Sequence, residues 1–246
     1  MKTVTIGTIK GGDGKSSLCI LLSRYLASVG KRVLTLDLDV QNSTSFSLLP
    51  DGDPEGRHIV RAIIEDDLGS QTIPIGPQHF LVQCDYKLTQ LRTMSPNTIK
   101  ACLSKVAGDY DFCLIDTPPY YDNIVISGMS AADLIVLPVM LKNSFSIKAS
   151  RFVREALAVD APALAERLFV LCNFFEDDGV GAEYMEHFQA IHGEAFFGTR
   201  FPRTAQVRRA VDYHQIPTDT SKFDKLFPAL QALAGEILDW FQQPGA

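Results

Sequence analysis

"TIKGGDGKSS", residues 8–17, joins two segments of different hydrophobic period. Upstream, "KTVTIGTI" (2–9) is rich in β-branched residues and reads as a strand. Downstream, Leu18, Leu22, Tyr25, Leu26 and Val29 recur at helical spacing, and Gly30 supplies a C-terminal stop. A glycine-rich turn between a strand and a helix lets backbone N–H groups converge on an anion at the helix N-terminus, where the helix dipole favours negative charge. Gly11, Gly12 and Gly14 occupy that turn, Lys15 is placed to reach terminal phosphates, and Ser16 is placed to give its hydroxyl to Mg²⁺. The match to GxxxxGK[ST] is not literal, because position 9 is Ile and not Gly. The order strand, loop, helix still predicts a nucleotide-binding loop.

The same alternation runs along the chain. "KRVLTLDLD" (31–39), "DFCLIDTPP" (111–119), "ADLIVLPV" (132–139) and "RLFVLCNFF" (167–175) read as further strands, and a last helix is expected over 223–242. Such a pattern predicts an α/β fold: a mostly parallel twisted β-sheet with helices on both faces, as a single domain over residues 1–246. Residues 50–78 are the least informative, with "PDGDPEG" and "DDLGSQTIPIGP" marking turns around a short helix. The 246 residues are 46% hydrophobic, enough for one substantial core. No run approaches the roughly 18–20 apolar residues that cross a bilayer, so a cytoplasmic protein is expected. The five cysteines are odd in number, far apart and set in apolar runs, the usage of reduced, buried thiols, and no CxxC pair suggests zinc or an iron–sulfur cluster. The net charge of -6 argues against a globally basic nucleic-acid binder but leaves room for a local basic patch.

Three stretches together carry a resemblance. "KGGDGKS" is similar to the deviant Walker A motif, KGGxGK[ST], of the ParA/MinD family of dimeric P-loop ATPases; "LTLDLDVQNSTS" resembles its second-strand DxDPQ segment, and "DYDFCLIDTPP" its Walker B strand and DxPP turn. Weaker similarity continues through "ADLIVLPV" and "FPRTAQVRRA", and the chain is most like the ParA (Soj-type) partition ATPases. The resemblance implies ATP and Mg²⁺ as ligands, with Gly11, Gly12, Asp13, Gly14, Lys15, Ser16 and Ser17 cradling the phosphates through the loop. It implies Ser16, Asp37 and Asp116 around the metal, Asp39 orienting the attacking water, and Lys10 reaching across a two-fold interface to the partner's nucleotide. Asp37 and Asp39, two apart on a strand, share a face, which fits this assignment. Asn173 and Pro202 match regions that contact the base; a strand-end cap and a plain loop proline are their alternative roles.

The departures are Val40 for the family's proline, Ser17 for a common threonine, and Asp13 where a small or apolar residue is usual. An outward-pointing Asp13 need not repel phosphates, since backbone amides make the cradle; facing a partner loop, it would either pair with a cation or weaken the interface.

Arg200, Arg203, Arg208 and Arg209 fall within ten residues that hold no acidic group. They are candidates for sequence-independent DNA binding, in line with the resemblance, with Lys142, Lys148, Arg151 and Arg154 as extensions; a solvated helix face with intramolecular ion pairs is the alternative. The expected function is a ParA-like ATPase: a homodimer with ATP that binds nonspecific DNA on the nucleoid and drives DNA segregation through hydrolysis stimulated by a ParB-like partner. Two alternatives remain, a MinD-like membrane-associated positioner and a positioner of a protein cargo. The tail "PALQALAGEILDWFQQPGA" carries Glu236 and Asp239 where a membrane helix would carry lysines, so no membrane partner is expected. With the first strand starting at residue 2, no N-terminal helix-turn-helix region and no specific promoter binding are expected.

Overall fold

A computed structural model describes residues 1–8, 10–140, 144–176, 179–215 and 221–243. Its strands are β1 (Lys2–Ile6), β2 (Val33–Asp37), β3 (Ile73–Pro74), β4 (His79–Val82), β5 (Phe112–Asp116), β6 (Leu134–Met140), β7 (Leu168–Phe175) and β8 (Phe196–Pro202). The helices are α1 (Lys15–Ser28), α2 (Ser43–Leu48), α3 (Ile59–Ile64), α4 (Thr98–Ser104), α5 (Asn123–Ala131), α6 (Ser144–Asp160), α7 (Pro162–Ala165), α8 (Gly179–His192), α9 (Ala205–Asp212) and α10 (Leu226–Trp240).

One sheet takes all the strands in the order β3-β4-β2-β5-β1-β6-β7-β8. Every pairing is parallel except β3 with β4. The chain therefore winds outward in both directions from the central strands, and the switch in direction between β1 and its neighbours places a crevice at the carboxyl ends of β1, β2 and β5. Strand β5 shows how the two faces are filled. Phe112 and Leu114 pack with Leu18, Leu22, Leu230 and Leu233 from α1 and α10, whereas Cys113 and Ile115 pack with Ile59, Ile99 and Ile124 on the other side. All five β5 residues are buried, as a strand covered on both faces requires.

The expected strands over 2–9, 31–39, 111–119, 132–139 and 167–175 all exist, with shorter bounds at several ends. Strand β1 stops at Ile6 because the chain turns into the loop at the crevice, and β5 stops at Asp116 before the double proline. The uninformative stretch 50–78 contains α3 and β3, and it is followed by β4, which extends the sheet edge. Neither β4 nor β8 stands out in the sequence: each alternates too briefly to show its period. The last helix is shorter than 223–242 and buries Leu226, Leu230, Leu233, Ala234 and Ile237, one stripe of a 3.6-residue period. Its Glu236 is committed too: the carboxylate accepts from the Gly198 and Thr199 N–H groups, each at 2.7 Å, fastening α10 to β8. All five cysteines are free thiols and buried.

Candidate nucleotide site

The loop between β1 and α1 is shaped by glycine at two positions. Gly12 and Gly14 have φ of 91° and 83°, a region that L side chains avoid. At Gly14 the space is closed as well: an added Cβ would lie 2.4 Å from Asn173 Nδ2 and 2.8 Å from the Phe174 ring. Gly14 is the N-cap of α1, with no side-chain hydrogen bond capping the first turn. The leading N–H groups of α1 are thus directed at the mouth of the loop.

Lys15 is buried, and its Nζ donates to the Lys10 carbonyl at 3.4 Å. Burial lowers its pKa, while the nearby carboxylates of Asp116, Asp39 and Asp13 pull it back up. The β2–β5 register sets Asp37 directly beside Asp116, and both are fully buried at the strand ends. Burial drives both carboxyls well above the ordinary carboxylate range; the Asp116 charge adds to the shift at Asp37, and hydrogen bonds from Thr44 and Ser16 oppose it at Asp116.

Helix α2 supplies part of the support. Thr44 Oγ1 donates to Asp116 Oδ2 at 2.7 Å; Ser45 donates to Asp37 Oδ2 through both N–H (2.8 Å) and Oγ (2.7 Å). The Asp39 N–H donates to Asp37 Oδ1 at 3.0 Å, and Asp39 Oδ1 accepts from the Gln41 N–H at 3.0 Å. Asp37 is therefore hydrogen-bonded on both oxygens and acts as the brace between Asp39 and α2. Asp116 keeps a buried Oδ1 with no hydrogen-bond partner. A hard oxygen of this kind next to the Ser16 hydroxyl fits Mg²⁺. Thr44 and Ser45 lie within the stretch "LTLDLDVQNSTS", but their role as ligands of the two aspartates was not legible there, because it depends on α2 folding back over the sheet end.

Asp13 is corrected by the structure. Its side chain does not point outward: it is 1% exposed, its Oδ1 lies 3.8 Å from Lys10 Nζ, and burial raises its carboxyl against the opposing pull of Lys10, the Met140 backbone and Lys15. The left-handed glycines on either side turn it beneath the loop, so within the subunit it pairs with Lys10. The Lys10 side chain remains about one-third exposed.

Asn173, at the end of β7, sends Nδ2 to the Asp13 carbonyl at 2.6 Å and accepts from the Phe174 N–H at 3.0 Å through Oδ1. Its amide clamps the loop. Pro202 pairs with Phe175 at the end of β8. Near these strand ends a cleft of about 400 Å³ is lined by Met140, Phe174, Arg203, Thr204, Val207 and Arg208, so two of the four arginines border a cavity as well as the surface. All four are exposed. Arg200 stacks over the Phe175 ring at 5.1 Å, Arg203 pairs with Glu176 at 3.3 Å, and Arg208 pairs with Asp212 at 3.6 Å. Of the proposed extensions, Lys148 is exposed, Arg151 pairs with Glu155 at 2.7 Å, and Arg154 donates to the His192 carbonyl at 3.1 Å. Lys142 lies outside the described residues.

The description "AAA domain" belongs to a family model that matches residues 1–158, more than half of the chain. Among curated relatives, the virulence plasmid ParA family protein pGP5-D of Chlamydia muridarum is 26% identical over 86% of this chain and 82% of its own length. The chromosome-partitioning ATPase Soj of Thermus thermophilus is 24% identical over 99% of this chain and 98% of its own length. The maintenance of carboxysome distribution protein A of Synechococcus elongatus is 30% identical over 56% of this chain, an alignment that spans 58% of that relative's length. In three dimensions the chain superposes on a plasmid partition protein from Borrelia burgdorferi bound to AMPPNP with a TM-score of 0.83, 20% identity and coverage of 97% and 99% of the two chains. Apo McdA from Cyanothece gives 0.82 at 20% identity, with coverage of 95% and 99%. The chain belongs to the ParA/MinD family of AAA-domain ATPases.

Proposed function

We propose that this protein is a ParA-type partition ATPase that binds ATP with Mg²⁺, closes into a sandwich dimer, binds DNA without sequence preference, and releases it when a partner stimulates hydrolysis. The observation that carries this reading is the convergence of Lys15, Ser16 and the paired buried carboxylates Asp37 and Asp116 under a loop that keeps Lys10 partly exposed at its outer edge. Phosphoryl transfer to water needs positioned charge and an oriented nucleophile more than covalent chemistry. Ser16 Oγ and Asp116 Oδ1 would hold Mg²⁺, which would supply positive charge against the phosphate oxygens; Asp37, expected at the metal, has both oxygens engaged in hydrogen bonds and would support the site from behind. Lys15 and the α1 N–H groups take the phosphates, Asp39 is held by its neighbours at the crevice rim to orient water, and the cleft bounded by Phe174, Thr204 and Val207 takes the base beside Pro202, with Asn173 steadying the loop. Ser17 follows on the same helical turn.

Lys10 acts across the dimer interface, as the resemblance implies, so forming the dimer requires it to exchange Asp13 for the partner's phosphates. Arg200, Arg203, Arg208 and Arg209 form the DNA-binding patch, with the Arg203 and Arg208 ion pairs exposed enough to be exchanged for phosphates at small cost. On this reading the protein works in the cytoplasm on the nucleoid.

A second reading, a positioner of a protein cargo, is favoured by the likeness to the carboxysome distribution protein. Membrane positioning has less support: the apolar stripe of α10 is spent in the core, and among the described residues no helix is long and apolar enough to cross a membrane.

The deciding experiment measures ATP turnover with and without DNA and a ParB-like partner, alongside Lys10→Ala. The expected result is DNA- and partner-stimulated turnover that falls at least about tenfold in Lys10→Ala, with nucleotide binding to the monomer preserved. Unchanged turnover in that variant removes the trans role of Lys10.

A further inference from the structure

A second cavity, of about 440 Å³, opens at the edge of the sheet opposite the loop, between the C-terminal half of α1, the segment after α2, the β3–β4 turn and the segment after α9. Its size is that of a small-molecule site. Leu48, Pro50, Ile75, Pro77 and the methyl of Ala27 make most of its wall apolar. Among the described residues its lining holds no carboxylate; its ionisable members are Arg24, His79 and His214.

Arg24 sets the chemistry. It is 7% exposed and lies in the C-terminal half of α1. Nη1 donates to the Ala210 carbonyl at 2.7 Å, Nη2 donates to the Ser47 carbonyl at 2.8 Å, and Nη2 lies 3.2 Å from His214 Nδ1. These contacts occupy three of its five N–H donors with two carbonyl oxygens and an imidazole nitrogen. The two carbonyls lie in the last turns of α2 and α9, whose dipoles offset part of the charge, but among the described residues no Asp or Glu pairs with Arg24. Burial is the cause that lowers its guanidinium to a pKa of about 10. His79 sits nearby with Nε2 2.8 Å from Thr35 Oγ1, held neutral at a pKa of about 4 by burial and then by the Arg24 charge. A full cation in an apolar cleft, with no acid paired to it among the described residues, is a strong attractor for one negative charge.

We propose that this cleft is a ligand site, separate from the nucleotide site, for a small organic monoanion with an apolar body, its carboxylate or equivalent head paired with Arg24 and its body against Leu48, Pro50 and Ile75. A single guanidinium suits one charge and not a polyphosphate, and the cleft offers no glycine-rich backbone cradle like that of residues 11–14.

Octanoate is the probe, titrated by calorimetry into the full chain, with octanol as the uncharged isostere. The expected dissociation constant for octanoate is on the order of 100 µM, with octanol at least about tenfold weaker because the charge pair is lost. Saturation with AMPPNP is expected to leave octanoate binding in place, which separates this site from the nucleotide loop. Ala27→Leu, which keeps Arg24 and a good helix former, fills the cleft and is expected to abolish octanoate binding while ATP binding persists. Equal affinity for octanol, displacement of octanoate by AMPPNP, undiminished binding in Ala27→Leu, or no octanoate binding by the wild-type chain would each overturn the proposal.

Discussion

The two ends of the sheet bury charge in opposite ways. At the carboxyl ends of the central strands, Asp37, Asp116 and Asp13 converge with Lys15 and Lys10, so each sign has the other within reach and the polar atoms are shared among α2, β5 and the loop. At the far edge, Arg24 is buried with carbonyls and imidazoles as its neighbours. Buried charge is expensive unless paired. The first end offsets its cost internally and leaves Asp116 Oδ1 open to a metal; the second, among the described residues, leaves a net positive charge facing a cavity. A phosphate site and a site for a small anion thus differ less in the residue types they use than in whether acids accompany the bases.

The largest test of this contrast is to remove the cation from the balanced end. Lys15→Ala is expected to lower kcat/KM for ATP by about 100-fold or more, measured by phosphate release, while the far cleft is untouched. Retained turnover would mean that Lys15 serves packing and not the phosphates.

A smaller effect, on the geometry and not the charge of the same end, comes from Gly14→Ala. The methyl group meets Asn173 and Phe174 in a backbone conformation that alanine resists, so a loss of about 2–4 kcal/mol in urea unfolding is expected, with weakened ATP binding. If stability were unchanged, the clamp from β7 onto the loop would not be rigid.

The smallest effect separates the ends by pH. At the loop end the raised carboxyls keep protons that the unfolded chain releases, so their contribution to stability grows as pH falls into the ordinary carboxylate range. His79 works in the other sense. Its folded-state value of about 4 lies below the unfolded value of 6.5, so the stability tied to its neutral form is present above pH 6.5 and lost as pH falls toward 4. His192, buried with Nε2 2.9 Å from Ser150 Oγ, behaves alike at about 4. His79→Gln is therefore expected to gain on the parent by on the order of 1–3 kcal/mol between pH 6.5 and 4.5, read from urea midpoints at a series of pH values. A constant gap between the two proteins across that range would show that His79 is protonated in the fold.

Most of the site was legible because its key parts are local. The glycines and lysines of residues 10–16 belong to a single turn, whereas Asp39, expected on the strand face beside Asp37, lies past the end of β2 and meets Asp37 through its own N–H. What escaped the sequence depends on contacts distant in the chain. Thr44 and Ser45 gain their role from a helix that folds over two strand ends, and Asn173 reaches the loop from 160 residues away. The arginine cluster shows the limit in the other direction: the absence of acids within its own ten residues did not reveal Asp212 just past that window or Glu176, which the fold brings to Arg203 from well upstream.

By itself, the sequence determined the parallel α/β plan and the loop at the first strand end, since both follow from hydrophobic period and turn chemistry over a few residues, while the family followed from the resemblance of three short motifs. Only the tertiary structure decided where Asp13 points, what Asp37 braces and that Arg24 stands without an acid among the described residues. Burial and pairing are properties of the space between elements, and that space exists only once the sheet has closed its two layers of helices around itself.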